Sequence, residues 1–394
     1  MLERLSTELI EHIAFSLEDR ADLLTLRLVS RRLNNATYRV FGRAWFGTIL
    51  LKFIPESLPR VADIAHHPLL RESVRHIKVG IGNEKQYAEF GFLNPALPSA
   101  KDAQDLLASF PNCDEITVTD YYDDCTIQDG FSALYTVNFM FLVLARLRIK
   151  TFNIYVRNIQ AFKHAHLLFD TVKSAPFRSS WSHIQHINFW WQPGIALAKI
   201  TSNLVLEAVN LRTLILKCVL SQVVNQLLQR IAESPTVPAV KHLELSAWRP
   251  LSPEIFSSAI LRFKDSLESL TLYRTRTDWE PFFALLGKES FPHLGTITFR
   301  GSHNIFLCPL RMNQNALSQY GGDLEFTLRD YAGKSRVCGM RYRSSPPGIQ
   351  HMLQTLGRNS IYTSNSSRRE RSPGLPDMKT YTGDTVGRVV NDLL

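Results

Sequence analysis

The apolar residues at the start of the chain fall on a stripe. In LERLSTELIEHIAFSL, residues 2–17, Leu5, Leu9, Ile13 and Leu17 recur at every fourth position and Ile10 widens the stripe, the spacing of an amphipathic helix. Ser6 or Thr7 is suited to cap it and Glu8 to its first turn. DLLTLRLVSRRLNNA continues with Leu23, Leu24, Leu26, Leu28, Val29 and Leu33. These residues predict two or three short helices. A module of this size buries too little surface to stand alone, so part of its apolar surface needs a cover from elsewhere.

Further along, the period changes. An apolar residue, two variable ones and then two apolar residues at alternate positions recur in VRHIKV, CDEITV, IKTFNI, IQHINF, LRTLIL, VKHLEL, LESLTL and LGTITF. Their fourth positions are Ile77, Ile116, Phe152, Ile187, Leu214, Leu243, Leu270 and Ile297, in steps of between 27 and 39 residues, and a weaker ninth copy, DLEFTL, places Phe326. Alternation predicts a strand in each copy, with the close apolar pair on one face. Helical spacing follows the strands, as in SQVVNQLLQRIAES after a capping Ser221, and in PEIFSSAILRFKDS with Pro253 in a first-turn position. A single strand and helix cannot bury its own apolar face, so the copies must stack into a solenoid. The greasy run Leu134–Ala145 is too short to span a membrane and predicts a buried helix.

This pattern resembles the leucine-rich repeat family in an irregular form, which implies an α/β fold with parallel strands on the concave face and helices on the convex face. The asparagine that follows the strand in typical repeats is missing from most copies. The opening segment, LxxLSTELIxxIxxxL and then DLLTLRLVSRRL, resembles an F-box, with Ser6 where that family commonly has proline. The expected organisation is a three-helix F-box-like domain at 1–46, a leucine-rich-repeat-like solenoid at 47–330 and a largely disordered basic tail at 331–394.

What the F-box resemblance implies is a docking face for a Skp-type adaptor, and through it a cullin scaffold, made by Leu2, Leu5, Leu9, Ile10, Leu23, Leu26 and Val29. The repeats would then hold an unknown protein substrate. Such a chain is a receptor subunit of an SCF-type ubiquitin ligase and is itself no enzyme. The alternative is an interaction scaffold without a ligase, whose first helices only cap the repeats.

If the strands form the concave wall, outward side chains come from the third and fifth pattern positions and the residue after the sixth. That rule gives Tyr155, His186, Asn188, Trp190, Lys217, His242, Glu244, Tyr273, Arg300 and Arg329. Tyrosine, tryptophan and arginine dominate binding energy at protein interfaces, so Tyr155, Trp190, Tyr273 and Arg300 suit a protein or peptide target.

Composition narrows the partners only slightly. The chain has 394 residues and a formal charge of +9, and part of the excess lies in Arg341, Arg343, Arg358, Arg368, Arg369 and Arg371. Nucleic acid ranks below protein as a partner, because these residues belong to no recognisable reading helix. Five cysteines, odd in number and without a CxxC pair, fit a reducing compartment, cytoplasmic or nuclear. No catalytic motif is present, and no cofactor or metal is expected. His164 with His166, and His183 with His186, lack partners at ligand spacing, and DYYDDCTIQDG from Asp120 lacks the order of a calcium loop.

Overall fold

A computed structural model describes residues 4–52, 57–80, 100–119, 130–156, 170–191, 195–218, 221–247, 250–300, 323–331 and 334–356. The chain groups into two compact units, Met1–Ile184 and Gln185–Leu394.

The first unit opens with four helices where the sequence suggested at most three: α1 (Thr7–Phe15), α2 (Arg20–Val29), α3 (Arg31–Ala36) and α4 (Tyr38–Phe46). Short polar side chains set their starts. Ser6 Oγ accepts from the Leu9 N–H, Asp19 from Ala21 and Ser30 from Leu33, so α1, α2 and α3 each begin where a free helix donor finds a side-chain acceptor. The fourth helix was hidden because Thr37 separates α3 from α4 by a single residue. Ile10, Leu33 and Ala36 form the internal core of this bundle, with Leu5 and Leu26 packed on it.

Next come β1 (Thr48–Lys52), α5 (Ser57–His66), α6 (Pro68–Arg71), β2 (His76–Gly80), α7 (Ala100–Ala108), β3 (Glu115–Thr119), α8 (Gly130–Leu144), β4 (Thr151–Val156) and α9 (Ala175–Trp181). The four strands pair in sequence order and in parallel. Ile77, Ile116 and Phe152 stand in register, and Ile49 of β1 extends the row by a strand the eight copies did not include. The apolar faces turn to the helices: Phe152 packs edge-on to Trp181, and Phe141 of α8 closes the cluster. Val137, Met140, Phe141 and Val143 are buried, as expected for the greasy run. Among the described residues no helix is long and apolar enough to cross a membrane.

The second unit contains β5 (His186–Trp191), α10 (Ile195–Glu207), β6 (Thr213–Cys218), α11 (Ser221–Glu233), β7 (His242–Ala247), β8 (Pro250–Leu251), α12 (Pro253–Leu261), β9 (Ser269–Tyr273), β10 (Arg276–Thr277), α13 (Trp279–Leu286), β11 (Thr296–Arg300), β12 (Asp323–Tyr331) and β13 (Lys334–Arg343). Strands β5, β6, β7, β9 and β11 run parallel, with Ile187, Leu214, Leu243, Leu270 and Ile297 aligned across them. β8 and β10 form a separate two-stranded parallel ladder. Helices α10 to α13 pack against one another in order. Pro253 takes the first turn of α12 behind the capping Ser252, where its missing N–H costs nothing.

The sheet does not stop at residue 330. β13 lies antiparallel between β11 and β12, and a helix at 346–356 buries Ile349, Met352, Leu353 and Leu356. The boundary at 331 and the reading of 331–394 as a tail therefore fail for 334–356. Arg341 and Arg343 lie on one strand face and alternate with the fully buried Tyr342, so counting arginines concealed a strand. The ninth copy is corrected as well: Phe326 belongs to an antiparallel hairpin opposite Met340, two positions out of step with the row through Ile297 and Tyr342. Residues 357–394, which include Arg358, Arg368, Arg369 and Arg371, lie outside the described residues. The architecture is mixed α/β with a mostly parallel open sheet, compatible with a stack of strand–helix repeats.

Candidate functional site

Two surfaces gather the residues singled out from the sequence. The first is the outer side of α1 and α2. Ile10 and Ala14 turn inward on α1, and the other side of the helix presents Leu9 and Ile13, one turn apart, with Phe15 70% exposed at its end. On α2 the inward residue is Leu23, and Leu24 and Leu28 form the exposed ridge, with Leu28 87% exposed and Val29 beside it. A large side chain covered there would contribute about 1.5–3 kcal/mol, so several together supply the scale of a specific interface. Glu8 stands in the first turn of α1, its carboxyl held below the usual range by its own backbone N–H and the Ser6 hydroxyl.

The structure divides the expected docking residues. Leu9 and Val29 are exposed. Leu5 and Leu26 are partly buried against the bundle core. Ile10 at 1% exposure and Leu23 at 3% are interior residues, which corrects their assignment to the docking face: they fix the helices, and Leu9 and Ile13 on α1 and Leu24 and Leu28 on α2 carry the surface. Leu2 lies outside the described residues. Ile13, Phe15, Leu24 and Leu28 are the positions that assignment missed. Which side of α1 faces inward is settled by Leu33 and Ala36 of α3, which pack on Ile10 and leave Leu9 and Ile13 outside.

The second surface is the strand face of the second unit that points away from the helices. Register places Trp190, Lys217, Ser246, Tyr273 and Arg300 in one row across β5, β6, β7, β9 and β11. Glu244 stands in the neighbouring row, where its carboxylate pairs with Lys217 Nζ at 3.0 Å. His242 Nδ1 lies 2.9 Å from Ser269 Oγ. Trp190 and Arg300 are exposed, and His186 is half-buried. Arg274 has a positive φ of 52°, which turns its guanidinium over the Tyr273 ring at 5.2 Å from the centroid. Its N–H donates to the Arg300 carbonyl at 2.6 Å. The Lys217–Glu244 pair cancels its own charge, so Arg300 gives this row its cationic end.

Small polar side chains fill the places between. Ser246 and Thr298 are buried and Thr271 is half-buried, positions that the same alternation would have supplied. Tyr155 belongs to the first unit, in register with Gly80 and Thr119. The Arg329 side chain, His164, His166 and the loop from Asp120 to Gln128 lie outside the described residues.

Among the described residues no group of three histidines, cysteines or acids could hold a metal ion. Cys113 is largely buried, and burial pushes its thiol up to about 12, the opposite of what a nucleophile needs. In comparison with known proteins, the chain matches no family model and no curated protein.

Proposed function

We propose that this chain is the substrate-recognition subunit of an SCF-type cullin ubiquitin ligase: α1 and α2 dock on a Skp-type adaptor, and the strand face of the repeats holds a protein target. The observation that carries this reading is a pair of exposed apolar side chains on each of two successive helices, Leu9 with Ile13 on α1 and Leu24 with Leu28 on α2, whose inward residues already close a core. Protein surfaces seldom expose large apolar pairs on two successive helices without a partner. F-box-like sequence in front of repeats adds to it.

A cap that merely seals the repeats is the rival reading. In this bundle the segment set against the repeats is α4, which packs on β1 and α6, and Gly42 sits so close to Ser73 that an added Cβ would meet its hydroxyl. Capping therefore employs α4 and leaves the α1 and α2 ridges to be explained. Co-expression with a Skp-type adaptor tests the proposal. The full chain should co-purify with it, and Leu9→Asp with Leu28→Asp should abolish the complex while the circular dichroism spectrum stays unchanged. Unchanged co-purification of the double variant would reject the assignment, and no co-purification of the wild type would favour the cap.

A further inference from the structure

The ladder of the first unit begins at β1, which among the described residues pairs on one side only, with β2. The direction of its backbone groups can be read off. The Gly47 carbonyl accepts from the N–H groups of Arg75 and His76, on the β2 side. Backbone direction alternates along a parallel strand, so Ile49 and Leu51 bond to β2, and Thr48, Leu50 and Lys52 turn their N–H and C=O groups outward. The Lys52 N–H is taken by Ser57 Oγ at 3.0 Å, as that alternation requires.

Beside this edge is a cavity of about 440 Å³, walled by Trp45 and Phe46 of α4, Leu50 of β1, and Arg60, Val61 and Ile64 of α5. Trp45 and Leu50 are each 40% exposed, and the Arg20 guanidinium sits 5.6 Å from the centroid of the Trp45 ring. Thr48, Ile49, Lys52 and Ser57 complete the lining, and among the described residues no acid belongs to it. An open strand edge next to an apolar hollow is a liability in a soluble protein unless something is added to it.

We propose that β1 accepts an extended peptide of another protein as an added strand, with an apolar side chain in the cavity and a carboxylate two residues away meeting Arg60. Main-chain hydrogen bonds to Thr48 and Leu50 would supply the affinity, and the pocket and Arg60 the selectivity. A second copy of this chain is the poorer occupant, because pairing β1 with itself brings one Arg60 guanidinium to each side of the joint and no carboxylate of the cavity lining to meet it. The inference rests on the edge and its cavity and holds whether or not α1 and α2 dock on a ligase.

Selection from a displayed library of short random peptides on the full chain tests it. Enriched peptides should alternate apolar residues with Asp or Glu. Their synthetic versions, followed by fluorescence anisotropy, should bind Arg60→Glu at least about tenfold more weakly, and Arg60→Glu should itself select peptides rich in Lys or Arg. Arg60 is exposed on α5, so its reversal leaves the fold in place. Methylating alternate peptide amides should abolish binding, because it removes the bonds of an added strand. Leu50→Pro, which loses only an outward N–H, should weaken every selected peptide. No enrichment, enrichment without acids, binding unchanged in Arg60→Glu, or self-association of the chain in sedimentation would each overturn the proposal.

Discussion

The Arg27 guanidinium carbon lies 3.6 Å from the centroid of the Phe41 ring. It also reaches Tyr38, at 5.2 Å from that ring, and its Nε donates to Asn34 Oδ1 at 2.9 Å. One side chain of α2 thus grips α3 and α4 together. With this grip in place Leu23 points inward, and Leu24 and Leu28 stay outside.

Arg27→Met keeps the apolar stem and removes the planar cation and its donor. We expect it to cost about 1–2 kcal/mol and to weaken adaptor binding, although Arg27 is not on the ridge. Arg27→Lys should restore little, since a point charge neither stacks nor reaches Asn34 in the same geometry. Thermal melts paired with adaptor titrations would check both effects.

A polar network on the strand face of the first unit makes stability depend on pH. His76 Nε2 lies 2.8 Å from Thr117 Oγ1 and 3.7 Å from Glu115, and Asn153 Nδ2 donates to both Glu115 and Thr117. Burial pushes the imidazole below its ordinary value of 6.5, Glu115 opposes that shift, and the charge of Lys78 adds to it. The unfolded chain therefore takes up the proton first. The stability this residue contributes is complete above the ordinary histidine value and is lost as pH falls through the lower folded one. Melting temperatures measured from about pH 8 down to about pH 5 should fall less steeply for His76→Gln than for the wild type.

In the second unit the Phe256 and Phe282 rings stack at 4.7 Å, with Trp279 edge-on to Phe282 at 5.5 Å. Phe282 is fully buried, so Phe282→Ala should cost about 3–5 kcal/mol. Denaturant unfolding followed by tryptophan fluorescence should show the transition shifted to lower denaturant.

The strands were the most legible part of the chain. Each of the eight ruler residues from Ile77 to Ile297 stands in register with its neighbour inside its own unit, because alternation has only two phases and a slip would bury the polar face. β1 carries the pattern as well, in FGTILL with Phe46 leading and Ile49 in fourth place, but it follows directly on the opening helices and was passed over with them; β13 escaped because arginine occupies its outward positions. The strand-face row was equally readable, and Trp190, Lys217, Tyr273 and Arg300 do share it. The docking face was harder. A helix full of leucines shows that two sides are apolar but not which side the bundle claims; that is decided by Leu33 and Ala36, which pack on Ile10 from another helix.

Hydrogen exchange on the full chain, with and without a Skp-type adaptor, tests the central claim most directly. The account expects the amides of residues 7–29 to gain protection on adding the adaptor, with Leu9→Asp and Leu28→Asp removing that gain. An adaptor that leaves residues 7–29 exchanging as before, or protects only the strands from β5 to β11, would contradict it.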